Sequence, residues 1–531
     1  MHTFQRPFSR LGSGCALVLP AVLGLVLVSV PAATARVVSD SYWVPASSMW
    51  RVTGHGFGHG HGMSQYGAEG AAQGGLSALE ILAFYYPGTT LGSATGQIRV
   101  LLTGAPENEV SVLPAAGLQM RDLGDGTTYP MPKKRGVTMW RLRTISTPAG
   151  PRTGMAYLTD RWYGYRPGGK LFLAGDGELS ATGPLTLHTA AGNRAYRGAL
   201  RLASPSPGSG RRLTVNVLSM DDYVKGVVPS EIPASWLSAA LQSQAVAART
   251  YASWSREVNA QRYYQICDTT ACQVYGGVGA EDSRSNAAVA ATAGQVLTSA
   301  GHPVFTQFSS SSGGWTSAGG FSYLPAKPDP YDGFAGNPVH TWTRTIDSRT
   351  IQRAYPQLGS LLRLRITQRD GNGDWHGRAQ TVVLDGSRSD VTISGEAFRS
   401  LYGLRSSWFT IAQTPIMARW ADLGGARSVV GSPTGRERAV AGGLEQDFAK
   451  GRLYYTTSHG ARDLYGPILS AYLNAGGPKS RLGMPLTSVR AEPGGRYASF
   501  AGGAVHYYSA TGETILTYTT SRDDAPFHAI P

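Results

Sequence analysis

The sequence predicts an α+β protein, a β-rich domain with a buried central helix followed by a small C-terminal repeat domain. Three observations carry this. Glycine and proline supply 68 and 31 of the 531 residues and aromatics 10%, a composition that favours short strands and turns over a helical bundle. One long Ala-, Leu- and Gln-rich segment interrupts the strand-like runs. The C-terminal part matches itself at an offset of 52 residues.

At the N-terminus, Arg6 and Arg10 precede an apolar run from Ala16 to Val30, and Ala33-Thr34-Ala35 follows it. This is the pattern of a secretory signal peptide over residues 1–35, cleaved after Ala35. The run of 15 residues is short for a membrane span; an uncleaved anchor is the alternative. Cys15 precedes the apolar run, and Gly12 stands where a lipidation signal has Leu, so lipidation is rejected.

Residues 97–227 alternate strand-like runs, Ile98–Leu102, Val110–Leu113 and Leu213–Val217, with Gly, Pro and Asp turn signals. Pro233 introduces a helix over about Ala234–Glu257, and a second helix is expected over Arg284–Ala293. In the first, Trp236, Ala239, Ala240, Ser243, Val246, Ala247, Thr250 and Trp254 share one face, while Leu237, Leu241, Ala245, Ala248 and Ala252 line another. A helix apolar on both faces should be buried.

Export makes the formal charge of +14 informative, since only Arg6 and Arg10 leave with the leader. Nucleic acid is excluded as a partner outside the cell. Anionic cell-wall polymers of the teichoic type, other acidic wall glycans and anionic membrane surfaces remain. The basic residues read as scattered, so a mere solubility charge is the equal alternative.

The repeat covers residues 416–518. Trp420 aligns with Tyr472, Gly424-Gly425 with Gly476-Gly477, Val430-Gly431-Ser432-Pro433 with Leu482-Gly483-Met484-Pro485, Phe448 with Phe500, Gly451 with Gly503 and Tyr455 with Tyr507. The pattern resembles LGFP repeats, which implies attachment to the cell wall; neither copy spells the name, because Phe is absent from both cores. A structural spacer is the alternative reading.

The central segment Met220–Trp236 (MDDYVKGVVPSEIPASW), then Leu241–Tyr251 (LQSQAVAARTY), Cys267–Gly276 (CDTTACQVYG), Phe308–Thr316 (FSSSSGGWT) and Phe398–Phe409 (FRSLYGLRSSWF) together resemble the SpoIID/LytB family. The domain so defined spans 97–413. A block at 51–92, containing Gly54–Ala68 (GHGFGHGHGMSQYGA), closes the domain in many members but opens it here. This resembles a circular permutation, and implies that the block folds back to complete a site built from later residues.

The resemblance implies action on peptidoglycan glycan strands. Sporulation-branch members are lytic transglycosylases, which cut between N-acetylmuramic acid and N-acetylglucosamine and leave a 1,6-anhydro end. One carboxyl group suffices, because the sugar's own C6 hydroxyl attacks and a single residue can give and then take a proton. The motif points to Glu231, read as lying in a turn between Pro229 and Pro233, with Trp236 as an apolar wall raising its pKa. The N-terminus of the following helix would oppose that shift; a helix-cap carboxylate is the alternative role.

Asp221 and Asp222 are rival acids but read as turn residues at a strand end. Arg249 reads as a buried structural ion. Gln244 serves either a sugar or the core. The run Ser309 to Gly314, with Ser311 and Ser312, and Thr316 suits a sugar-lined cleft, an ordinary turn being the alternative; the motif residues Gln273 and Tyr275 are expected to line the cleft, joined by Ser64 and Gln65. His55, His59 and His61 sit in a Gly-rich loop suited to substrate binding; zinc is the weaker reading, since no carboxylate or Cys accompanies them locally, and no metal or other cofactor is assigned. Some family members carry zinc near the equivalent of Cys267, but Ala271 stands where a His would help, so a Cys267–Cys272 disulfide is expected instead. The LytB branch implies a second role, a non-catalytic enhancer of a wall amidase. Either way the protein is expected to be secreted and wall-associated.

Overall fold

The computed structural model describes residues 35–519, so the predicted leader lies, apart from Ala35, outside the described residues. The protein is α+β, as its composition predicts. Residues 97–219 supply two arrays, antiparallel except where Ile266–Cys267 joins the second as an edge strand parallel to Gln97–Leu101. One, of six strands, runs from Trp162–Tyr165 through Arg152–Leu158, Met139–Ile145 and Glu109–Val112 to Leu185–Thr189 and Gly192–Tyr196. The other, of seven, has Gln97–Leu101, Leu213–Ser219 and Ala199–Ala203 at its centre. Trp140, Leu142 and Met155 of the first share one core with Leu179, Leu200 and Leu202 of the second, which follows from strand alternation of apolar and polar positions.

Five helices frame the region of interest. Helices α1 (Gln65–Gln73) and α2 (Ala78–Tyr85) follow the Gly/His segment. Helices α3 (Met220–Glu231) and α4 (Ser238–Val258) follow the second array, and α5 (Ser283–Ala291) occupies the position predicted for a second helix. The two faces read from the sequence of α4 meet two different cores. Leu241, Ala245, Ala248 and Ala252 pack into the large β-rich core. Ala240, Val246 and Ala247 pack against Ala68, Ala71, Ile81 and Leu82 of α1 and α2. The N-terminus of α4 has no side-chain cap of its own; Glu69 of α1 accepts a hydrogen bond from the Leu237 backbone N–H at 3.0 Å.

Helix α3 is the main departure from the sequence reading, which had Glu231 in a turn and the two aspartates at a strand end. Ser219 caps it, accepting from the Asp222 N–H, and Asp221 and Asp222 occupy its first turn, where negative charge favours a helix. Pro229 lies inside it, and the helix ends at Glu231 because Ile232 precedes Pro233 and is driven into an extended conformation. The long helix therefore starts at Ser238, later than the predicted Ala234, and Trp236 lies in the intervening turn.

The N-terminal segment is woven into much later chain. Met49–His55 pairs antiparallel with Thr341–Asp347 and with Phe409–Ile411, and Met63–Ser64 lies parallel to Phe308–Ser309. Between them, Phe57 and Ser311 exchange backbone hydrogen bonds of 2.9 and 3.1 Å. Gly56 (φ +71°) and Gly313 (φ +77°) meet here so closely that a Cβ on Gly313 would lie 2.6 Å from the Gly56 nitrogen.

The C-terminal repeat is structural as well as sequential. Four-stranded sheets Arg438–Tyr465 and Arg490–Tyr518 each follow a helix, Pro415–Asp422 and Gly466–Asn474. Aligned residues make the same bonds: Trp420 Nε1 donates to Gly431 O at 2.8 Å, and Tyr472 OH to Gly483 O at 2.6 Å.

Arg249, fully buried on α4, donates to Asp221 Oδ1 at 2.7 Å and to the carbonyls of Ala245, Gln295 and Val289. Asp221→Ala leaves that guanidinium uncompensated and is expected to cost about 3 kcal/mol of stability. Chemical denaturation of the full chain measures it.

Candidate functional site

Glu231 is the last residue of α3 and opens onto a cavity of about 360 Å³. Around it stand His59, Tyr251, Val274, Phe305, Gln307 and Phe308, with Thr270, Ala271 and Cys272 at one side. Glu231 is the sole carboxyl group among these lining residues. Its Oε1 accepts from the Val274 backbone N–H at 3.1 Å and its Oε2 from Gln65 Nε2 at 3.3 Å. Burial pushes the carboxyl pKa above its ordinary 4.5, and these two donors offset only part of the shift. The helix acts in the same direction as burial: Glu231 sits at the C-terminal end of α3, where the exposed carbonyls disfavour negative charge. The sequence reading had placed it near a helix N-terminus, with the opposite sign.

Trp236 is not part of the cavity wall. Its ring packs on Tyr66 at 5.0 Å. The apolar wall comes from Tyr251, Phe305 and Phe308, and it continues outward: Phe305 packs at a tilt on Trp254 at 4.2 Å and approaches Phe321, which is exposed. Phe305 and Gln307 escaped the sequence reading, and Phe308 entered it only as the first residue of a motif. They lie in Val304–Ser309, at the head of the serine run, where Phe305, Gln307 and Phe308 keep partial exposure while Val304, Thr306 and Ser309 are buried.

The three histidines divide. His59 lines the cavity, and with His61 also lines a second cavity of about 310 Å³ beside Asp370, Arg378 and Glu396. The rings of His59 and His61 stack at 4.9 Å. His59 Nδ1 accepts from the His61 N–H at 2.9 Å, and burial with the His61 charge pushes its pKa down to about 3. His59 is thus a neutral imidazole with its proton on Nε2. His55 instead packs between Trp375 and Trp408, both at 4.8 Å, with Asp374 3.3 Å away. Among the described residues no group of three or more His, Cys, Asp or Glu side chains is arranged to hold a metal ion. Cys267 and Cys272 form a disulfide, which engages both thiols and carries Cys272 to the cavity rim.

Most hydroxyls expected to face a sugar are turned inward. Asp332, fully buried, accepts from Ser64 OH at 2.6 Å, Ser311 OH at 2.8 Å, the Ser312 and Gly313 N–H groups at 3.0 Å, Asn337 Nδ2 at 3.1 Å and His340 Nδ1 at 2.8 Å. Burial would raise its pKa, but the donors, His340 first, hold it below the usual carboxylate range. Asp329 beside it accepts from Ser312 OH and Tyr85 OH; burial and the Asp332 charge push it up to about 6. Thr316 Oγ1 donates to Pro325 O at 2.8 Å. Gln273 is 1% exposed, bonded to Tyr223 OH and Ala248 O, and Tyr275 bonds Asn216 in the core. Gln244 is 0% exposed and adds nothing to the cavity surface. Ser64, Gln244, Gln273, Tyr275, Ser311, Ser312 and Thr316 therefore build the frame rather than line the cleft; His59 and Gln65 reach Glu231's surroundings directly.

A β-rich domain with one carboxyl at the mouth of an aromatic cavity, followed by paired repeats, is the class the geometry defines. The chain matches the family model described as Stage II sporulation protein (SpoIID) over residues 209–299 and the model described as LGFP repeat over residues 430–480. It carries a SpoIID domain and LGFP repeats. It is similar to the amidase enhancer of Bacillus subtilis (strain 168), 40% identical over 134 residues that make up 24% of this chain and 17% of that protein. It is also similar to stage II sporulation protein D of the same organism, 30% identical over 220 residues, 37% of this chain and 61% of that protein. The counterpart in Bacillus amyloliquefaciens is 29% identical over 224 residues, covering the same shares. The chain thus spans less than two thirds of the length of each of these relatives.

A raised folded-state pKa means that Glu231 contributes stability below the ordinary carboxyl pKa of 4.5, and that this is lost as pH rises through the raised value. Relative to the wild type, Glu231→Gln is therefore expected to gain stability across that window and to keep the gain at neutral pH. Denaturation midpoints of the two proteins measured from pH 4 to pH 8 check the sign.

Proposed function

We propose that this is a secreted, wall-associated protein that acts on peptidoglycan, and that it is a lytic transglycosylase cleaving the bond between N-acetylmuramic acid and N-acetylglucosamine with Glu231 as acid and base. The observation that carries the reading is a single carboxyl group, with a raised pKa, in a cavity walled by aromatic rings. Two-carboxylate hydrolysis needs a second acid as nucleophile or water-activating base, and the cavity lining supplies none. In the proposed step Glu231 donates its proton to the departing O4 of N-acetylglucosamine as the C1–O4 bond breaks. The muramyl C6 hydroxyl attacks C1, forming the C1–O6 bond, and gives its proton to Glu231, which restores the acid. Water takes no part, and burial suits this because it keeps the donor protonated. Tyr251, Phe305 and Phe308 offer faces for sugar rings, and neutral His59 and Gln307 offer hydrogen bonds.

A second reading rests on a specific observation, the similarity to a protein named amidase enhancer. In that role the same cavity binds glycan and a wall amidase does the cutting. The repeats, on either reading, hold the protein to the wall.

Incubating the full-length chain with intact and with peptide-stripped glycan strands, followed by mass spectrometry, separates the two. The expected result is 1,6-anhydro-muramyl ends from the wild type, with Glu231→Gln slowed about 10²- to 10⁴-fold. Glycan binding by both proteins without anhydro ends from either would overturn the enzyme reading in favour of the enhancer.

A further inference from the structure

The basic residues that read as scattered in the sequence are gathered in the structure. Residues 131–170 hold nine of the 48 Lys and Arg residues and one acid, Asp160, an excess of eight positive charges in a chain whose total is +14. They build the outer part of the six-stranded sheet, Met139–Ile145, Arg152–Leu158 and Trp162–Tyr165, with its connecting loops. Strand alternation sorts them. Trp140, Leu142 and Met155 face the core, so Arg141, Arg143, Arg152, Trp162 and Gly164 face away from it. Lys133, Lys134 and Arg135 lie in the loop before the first of these strands, Arg161 in the turn before the third, and Arg166 just after it.

Of the nine, only Arg141, with Glu109, and Lys170, with Asp125, are ion-paired among the described residues. The other seven are exposed. The face also presents ring surface and room. The Arg141 guanidinium lies 3.7 Å from the centre of the Trp162 ring, and nothing comes within 4 Å of where a Gly164 Cβ would sit. Tyr157 and Tyr163 stack at 5.6 Å on the sheet's other side, under Lys134 and Arg161. The repeats differ: residues 416–518 carry eleven bases against seven acids, and Arg419, Arg438 and Arg452 are tied to Asp463, Glu445 and Asp447.

We propose that this cationic outer part of the sheet, strands and connecting loops together, binds a polyanionic glycan of the wall, a polymer of sugar or polyol units carrying phosphodiester or carboxylate groups, and that it does so independently of the Glu231 cavity and of the repeats. Exposed, unpaired cations concentrated in one stretch of chain hold a repeating anion, and the ring and open glycine surface accept the units between charges. A neutral glycan gains nothing from seven cations.

The test compares the full-length chain with the fourfold variant Lys134→Gln, Arg143→Gln, Arg152→Gln, Arg161→Gln, all at exposed positions, with thermal midpoints confirming that both are folded. Binding is measured to poly(glycerol phosphate), to polyglucuronate, to a neutral chitin oligosaccharide, and to vesicles of equal parts phosphatidylglycerol and phosphatidylcholine. The proposal expects salt-sensitive binding to one or both polyanions, weakened about tenfold or more in the variant, with chitin-oligosaccharide binding unchanged. Which polyanion binds tells phosphate from carboxylate recognition. Equal polyanion affinity in the two proteins, or wild-type binding to the vesicles but to neither polymer, would overturn it. So would loss of polyanion binding on deletion of 416–518 with the fourfold variant unaffected.

Discussion

One buried carboxylate holds the candidate site together. Asp332 has no solvent exposure, and the six residues bonded to it come from three stretches of chain: Ser64 at the head of α1, the turn from Ser311 to Gly313, and Asn337 with His340. A buried charge is tolerated only when its hydrogen-bonding capacity is filled, so these segments are fixed relative to one another. Ser64 is simultaneously the cap of α1, accepting from Gly67 N–H at 3.0 Å, and the next residue is Gln65. The position of Gln65 against Glu231 is thus a consequence of a carboxylate that does no chemistry itself.

The surroundings of Glu231 follow from the other half of the chain. Helix α3 ends where it does because of Ile232 and Pro233, and α4 is buried between two cores, which fixes the start of the following connection. Burial and the helix C-terminus both favour the neutral acid; the Val274 N–H and Gln65 amide favour its anion and keep the group oriented. An acid that must release and regain a proton benefits from that balance, because either extreme would trap one form.

Much of this was legible in the sequence, and the misses have physical causes. The two faces of α4 were readable because helical spacing separates them, and the repeat because its aromatic, glycine and proline positions recur in register. Glu231 could be singled out only through a motif resemblance; its helix was hidden by Pro229, which reads as a breaker, although Ser219, Asp221 and the Ile232-Pro233 step mark its two ends. The serines and threonine near 311–316 were misread as sugar contacts because a hydroxyl's partner cannot be known before Asp329 and Asp332 are seen beside it. The aromatic wall was missed for the same reason: Phe305 and Phe308 meet Tyr251 only in three dimensions.

The chemistry assigned to Glu231 depends on its cavity holding the carboxyl protonated above the usual carboxylate range. Carbon-13 NMR titration of the full-length protein labelled at glutamate side chains, with Glu231→Gln identifying the resonance, measures this directly. The expected midpoint for Glu231 lies above the ordinary 4.5. A midpoint at or below that value would contradict it, because the donors from Gln65 and Val274 would then outweigh burial and the group would stand ionised.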